Sequence, residues 1–112
     1  MNKYTELSDL EINKRVFVAA KIEHEDTDLH SNKVFYGDGA NWIEFNPCNN
    51  PADAMPIIIE NKIGLSPMYH SNKWTADCLD YDFISVNKNP LRAAMELFLL
   101  MKDAENENNN NV

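Results

Sequence analysis

The 112-residue sequence is 44% apolar and carries 18 acidic against 10 basic residues, giving a formal net charge of −8. This size and composition predict one domain with a modest core. Direct binding to nucleic acid is disfavoured, because contact with phosphates requires several lysines or arginines, and here only Lys14 and Arg15 are adjacent. The apolar runs are far shorter than the roughly 20 residues that span a bilayer. With no secretory signal behind the first lysine, we expect residence in the cytoplasm.

The residues that usually carry catalysis or bind metals are few and poorly spaced. Cys48 and Cys78 lie far apart with no C-x-x-C motif, which is typical of idle thiols. His24, His30 and His70 form no zinc-binding spacing. A Cys78 nucleophile with His70 as its base is conceivable, but no third residue orients the pair. The sequence therefore predicts no catalytic residue, no metal site and no cofactor.

The first predicted helix covers residues 9–21. Ser8 is suited to cap its N-terminus, and Glu11 stands three residues later, as in a capping box. Leu7 and Ile12 occupy the positions of a hydrophobic staple. Apolar residues then recur at helical spacing, which predicts one buried face made of Ile12, Val16, Ala19 and Ala20.

An acidic segment follows the first helix. It contains Glu23, Glu25, Asp26 and Asp28, and it lacks the glycine and glutamate of an EF-hand calcium loop. We therefore interpret it as a solvated acidic loop. The next two segments, KVFY and NWIEF, are aromatic and β-branched, and the GDG between them, whose residues tolerate positive φ, predicts a hairpin.

The central segment CNNPADAMPIII predicts a helix with two alternative starts. With Asn50 as N-cap, Pro51 stands at N1 and Asp53 at N3, but Pro56 then lies inside the helix and kinks it. With Asp53 as the cap, Pro56 stands harmlessly near the start.

Three further strands are predicted at 65–69, 73–79 and 81–86. The last helix begins with Asn89 as N-cap and Pro90 at N1. The predicted fold is α+β, in the order αββαβββα, with one small antiparallel sheet of four to five strands packed on three helices. The domain covers 1–102, and residues 103–112 form a disordered acidic, asparagine-rich tail.

Two tryptophans on the predicted strands are the main candidates for a binding site. Trp42 and Trp74 belong either to the packed face of the sheet or to an exposed surface, and the packed face is favoured because one sheet face must pack on the helices. An exposed tryptophan beside Asp53 or Asp77 would anchor a partner or a stacked ligand. The candidate binding residues are therefore Trp74, Asp53, Trp42 and Asp77.

Four stretches together resemble the NinX family of small tailed-phage proteins. They are TELSDLEINK, CNNPADAMPIIIENKI, the segment from Trp74 to Ala76, and NPLRAAMELFLLMKDAE. The resemblance covers almost the whole chain in the same order, and it implies a phage accessory gene from a variable recombination-and-regulation region and an α/β/α sandwich. Family members commonly have tryptophan where this chain has Met55, which leaves Trp74 as the better aromatic anchor.

Three functions are compatible with the resemblance and the acidic charge. The first is a non-catalytic protein of the host cytoplasm that binds a host protein, for example to inhibit a defence component. The second is a small-ligand binder that sequesters a nucleotide signal in a pocket at Trp74. The third is a recombination or replication accessory that reaches DNA only through a protein partner. The oligomeric state stays open, and a homodimer is one option.

Overall fold

The protein folds into three helices and six strands, in a computed structural model that describes residues 2–24, 26–28, 32–38 and 40–110. Glu25, His30 and Gly39, named above, lie outside the described residues. The elements are α1 (Asp9–Ala19), β1 (Asp26–Asp28), β2 (Val34–Gly37), β3 (Trp42–Phe45), α2 (Pro51–Glu60), β4 (Gly64–Pro67), β5 (Trp74–Asp77), β6 (Ser85–Asn87) and α3 (Pro90–Asn110).

The α+β class and the three predicted helices are confirmed, but the sheet prediction needs correction. The strands form two separate antiparallel sheets, β1-β2-β3 and β4-β5-β6, instead of one sheet of four to five strands. This also differs from the α/β/α sandwich that the family resemblance implies. Each sheet is a meander of consecutive strands, so α2 separates two local units along the chain.

The additional strand is β1, where the sequence predicted a loop. Asp26, Thr27 and Asp28 pair with Gly37, Tyr36 and Phe35. Aspartate disfavours strands, but pairing with β2 supplies the backbone hydrogen bonds. A short, charged strand is also a common way for a sheet edge to resist further pairing.

The first sheet packs on α1 through aromatic side chains. The Phe17 ring lies 5.6 Å from the rings of both Tyr36 and Phe45, centre to centre. Phe17, Val34 and Phe45 are all buried. One face of this sheet is therefore its core face, and the opposite face is turned away from α1.

The predicted helix caps are present. The Ser8 side chain accepts a hydrogen bond from the Glu11 N–H, and Asn50 accepts one from the Ala52 N–H. Asn89 accepts one from the Leu91 N–H at 2.9 Å. The start of α2 at Asn50 resolves the two alternatives and places Pro56 inside the helix.

Two helix ends differ from the sequence prediction. Helix α1 stops at Ala19, and Lys21 adopts a φ of 53°, a left-handed conformation that ends a helix. Helix α3 continues to Asn110 through the segment predicted to be disordered. Asp103 accepts a hydrogen bond from the Tyr4 hydroxyl at 2.5 Å, and Lys102 contacts Glu105 at 3.2 Å, so this part of the helix has partners.

The second sheet packs on α3 through its central strand. Ala76 on β5 is fully buried, and Ala93, Ala94 and Leu97 of α3 are also fully buried. Small side chains on both elements allow the helix and the sheet to approach closely. No helix among the described residues is both long and apolar enough to cross a membrane.

Arg92 forms a buried ion pair within α3 and also joins this helix to the N-terminal turn. Arg92 is 6% exposed, and its Nε lies 2.7 Å from Oε2 of Glu96, which has no exposed surface. The Arg92 guanidinium also donates to Asp9 at 2.7 Å and to the carbonyl oxygens of Tyr4 and Leu7 at 3.0 and 2.7 Å. One side chain thus ties the start of the chain to its last helix.

Candidate functional site

The four predicted binding residues do not form one site. Trp42 lies on the first sheet, Asp53 in α2, and Trp74 and Asp77 on β5 of the second sheet. Trp74 and Asp77 are three positions apart on one strand, so their side chains point to opposite faces.

Trp74 lies on the packed face of the second sheet. It shares this face with Ala76, two residues along the strand, and it is half-buried. Asp77 is exposed on the other face, directly over Gly64, where an added side chain would collide with the Asp77 carboxylate. A tryptophan held against the helix side of the sheet is less suited to act as an anchor than one on the outer face.

Asp53 holds the turn that precedes α2. Its Oδ2 accepts a hydrogen bond from the Asn46 N–H at 2.9 Å. Asn46 also accepts one from Asn13 of α1 at 2.8 Å, and the N–H of Asn50 donates to the Asn46 carbonyl at 2.8 Å. Asp53 stands in the first turn of the helix, where a negative charge is favourable.

We expect Asp53→Ala to lower the free energy of unfolding by about 0.5–2 kcal/mol, the range for losing a cap or helix-end contact. Urea denaturation measures the loss. Asp53→Asn is the matched control, because it keeps an acceptor oxygen, and it should lose less. Equal losses in the two variants would show that the Asn46 hydrogen bond is not what Asp53 contributes.

Five side chains share the outer face of the first sheet, and we call this surface the acidic aromatic face. Asp26 and Trp42 both pair with Gly37, and Asp28 and Glu44 both pair with Phe35. Directly opposite residues in an antiparallel sheet point to the same side, and residues two apart along a strand do so as well. The acidic aromatic face therefore consists of Asp26, Asp28, Phe35, Trp42 and Glu44.

This face exposes an aromatic side chain between carboxylates. Trp42 is 48% exposed, and Phe35 and Glu44 are partly exposed. Gly37 lies in the row between Asp26 and Trp42, and it has no side chain to cover the indole. A basic side chain contacts this face at Glu44: Nζ of Lys33 lies 3.7 Å from Oε1 of Glu44.

The hairpin turn fixes the position of Trp42. A Cβ on Gly37 would collide with the backbone oxygen of Asn41, so glycine is needed here for space. Asp38 accepts hydrogen bonds from the N–H groups of Ala40 and Asn41 at 3.0 and 2.9 Å. These backbone donors, that of Asn41 first, lower the pKa of Asp38.

The sequence missed Phe35, Asp26 and Asp28 as members of this face. Alternation along KVFY separates Phe35 from Val34 and Tyr36, but it does not reveal which residue lies opposite on β3. The strand register supplies that information. The acidic residues were recognised as a charged segment, without a strand to place them beside an aromatic residue.

Cys48 belongs to a structural cluster. It is fully buried, its N–H donates to Asn13 at 3.2 Å, and its carbonyl accepts from Asn89 at 2.5 Å. Burial, and to a lesser degree Asp9, raises the pKa of the thiol to about 12. A protonated, buried thiol is a poor nucleophile. Within the described part of the chain, no group of three or more His, Cys, Asp or Glu residues is arranged to hold a metal ion.

The chain is a small α+β protein whose first sheet carries aromatic and acidic side chains on its outer face. Residues 3–102 match the family model described as Bacteriophage P22, NinX. The chain belongs to this phage family. No curated protein and no solved structure matches the chain.

Proposed function

We propose that this phage accessory protein acts without catalysis in the host cytoplasm, by binding a basic surface of a host protein through the acidic aromatic face. The observation that carries the proposal is that the exposed Trp42 shares one sheet face with Phe35 and three carboxylates. Tryptophan is enriched among the residues that dominate binding energy at protein interfaces. A host defence component is the partner class that we put first.

The charge of the face indicates the chemistry of the partner. Asp26, Asp28 and Glu44 surround the aromatic side chains, and the whole chain has a net charge of −8. Such a surface steers lysine- and arginine-rich surfaces toward it and repels phosphate backbones. Arginine can also stack on the Trp42 indole as a cation–π contact.

A sheet face that lies outside the neighbouring cavity suits a protein partner better than a small ligand. Small ligands are usually bound in concave sites that cover most of their surface. The cavity beside the first sheet is lined by Glu23, His24, Tyr36, Asp38 and Ile43, among others, and it does not include Trp42 or Trp74. Its acidic rim is unfavourable for a nucleotide.

The test is capture of the tagged chain's partner from infected host cells, followed by binding measurements with the purified partner. We expect Trp42→Ala to weaken binding about 30-fold, a hot-spot loss of about 2 kcal/mol. Asp26→Lys should also weaken binding and reduce its salt dependence. Both variants should melt near the wild-type temperature.

The control is Ile59→Ala, because Ile59 is an exposed apolar residue on α2, away from the first sheet. It should bind as the wild type does. Undiminished binding by folded Trp42→Ala would contradict the proposed face. Recovery of DNA or of a nucleotide in place of a protein would contradict the proposed class of partner.

A further inference from the structure

Strand β6 forms an open edge of the second sheet. In the described chain, β6 pairs with β5 on one side, and no strand pairs with its other side. The opposite edge, β4, ends in Pro67, which lacks an N–H and so discourages pairing. Strand β6 has no proline, and an edge of this kind can accept another strand.

Residues 82–88, which comprise β6 (Ser85–Asn87) and the residues on either side of it, alternate in exposure. Asp82, Ile84, Val86 and Lys88 are exposed, whereas Phe83, Ser85 and Asn87 are buried or half-buried. Ile84 is 53% exposed and Val86 is 36% exposed. Val86 lies in β6 (Ser85–Asn87) and Ile84 directly precedes it, so the two exposed apolar side chains form a contact surface for an added strand.

The order of these residues is self-complementary. Read outward from Ser85, Ile84 mirrors Val86, and Asp82 mirrors Lys88. A two-fold axis at Ser85 would therefore set an apolar residue opposite an apolar residue, and an acid opposite a base, on both sides of the axis. Two-fold symmetric contacts require this kind of match between a surface and itself.

We propose that a second copy of this chain adds to β6 as an antiparallel strand, with the two-fold axis at Ser85. Ile84 then pairs with Val86 of the partner subunit, and Asp82 pairs with Lys88 of the partner subunit. The second sheets of the two copies, each with strands β4, β5 and β6, then form one continuous six-stranded sheet across the dimer. This inference goes beyond the proposed function, because it uses the second sheet and not the acidic aromatic face.

Open space lies beside this edge. A groove of about 740 Å³ runs along β6, and its lining includes Ile84, Val86 and Lys88 as well as Phe83, Asn87 and Leu100. With the axis at Ser85, Phe83 lies opposite Asn87 of the partner subunit.

Other registers lose the match. Moving the axis to the midpoint between Ser85 and Val86 would place Ile84 opposite Asn87 and Lys88 opposite Phe83. A one-residue shift in an antiparallel pair changes every cross-strand partner. The charges therefore select the arrangement centred on Ser85, and they provide a test of it.

Sedimentation of the full-length chain over a range of concentrations tests the proposal. It is repeated with variants in which the charge at one end of the paired segment, at Asp82 or at Lys88, is reversed. The wild type should be in monomer–dimer equilibrium. Asp82→Lys and Lys88→Asp should each raise the dimer dissociation constant about tenfold, because two attractive pairs per dimer become repulsive. An equimolar mixture of the two variants should associate as the wild type does, since each supplies the charges that the other needs.

The double variant D82K/K88D should also regain the wild-type dissociation constant. Glu60→Lys on the exposed end of α2 makes the same change in net charge as Asp82→Lys, and it should leave dimerisation unchanged. Thermal melting confirms that each variant is folded. A wild type that stays monomeric up to about 1 mM, a mixture that fails to associate, or an edge that binds only a strand from another protein would overturn the proposal.

Discussion

Replacing Arg92 with methionine is expected to lower the free energy of unfolding by about 3–5 kcal/mol, the cost of breaking a buried ion pair by removing one partner. Glu96 has no exposed surface, and its Oε1 has no hydrogen-bond partner among the described residues. Without Arg92, its Oε2 also loses the 2.7 Å contact. The carbonyl oxygens of Tyr4 and Leu7 lose their donor as well. Urea denaturation measures the change.

Two controls separate the buried charge from the loss of arginine itself. The double variant R92M/E96M removes both charges and should recover part of the stability, because well-packed apolar residues can replace a buried ion pair. Arg15→Met changes an exposed arginine on α1 and should stay within about 0.5 kcal/mol of the wild type. A double variant no more stable than Arg92→Met would show that the hydrogen bonds to the N-terminal turn dominate.

Phe17→Ala is expected to cost about 3–5 kcal/mol, the usual range for removing a buried phenylalanine. The Phe17 ring is in contact range of His24, Tyr36 and Phe45, at 5.0 to 5.6 Å between ring centres. No other side chain joins α1 to the first sheet by so many aromatic contacts among the described residues. Removing the Phe17 ring should therefore destabilise the first sheet more than the rest of the fold.

The neighbouring residue provides the control for Phe17. Val18 is exposed on α1, so Val18→Ala should change stability by no more than about 0.5 kcal/mol. Hydrogen exchange would locate the effect: in Phe17→Ala, the amides of β2 and β3 should lose more protection than those of β5. Equal loss in both sheets would contradict the view that Phe17 acts mainly on the first sheet.

The helix starts were predictable because their chemistry is local. Ser8, Asn50 and Asn89 each accept hydrogen bonds from residues two or three positions later, and the sequence contains everything that this contact needs. The sequence did not distinguish Asn50 from Asp53 as the N-cap of α2, because the two side chains have the same capping chemistry. Its contact with Asn46, earlier in the chain, is part of what distinguishes the two.

Features that depend on distant partners were not predictable. Asp26–Asp28 has a poor strand composition and becomes a strand through pairing with β2. Arg92 and Glu96 have the spacing of an exposed helix pair, and their burial depends on Tyr4 and Leu7, 88 and 85 positions away. The acidic aromatic face was predictable only in part. Trp42 was identified by its residue type, whereas placing Phe35 on the same face requires the register between β2 and β3.

The bond between Arg92 and the N-terminal turn has a consequence for synthesis of the protein. The acceptors in Tyr4 and Leu7 leave the ribosome first, and their donor follows more than 80 residues later. Until α3 emerges, α1 and the second sheet lack the helix on which they pack. The first sheet and α1 can associate early, but the native fold is completed only after most of the chain has been translated. A nascent chain arrested before α3 would therefore expose apolar surface and become a substrate for chaperones or proteases.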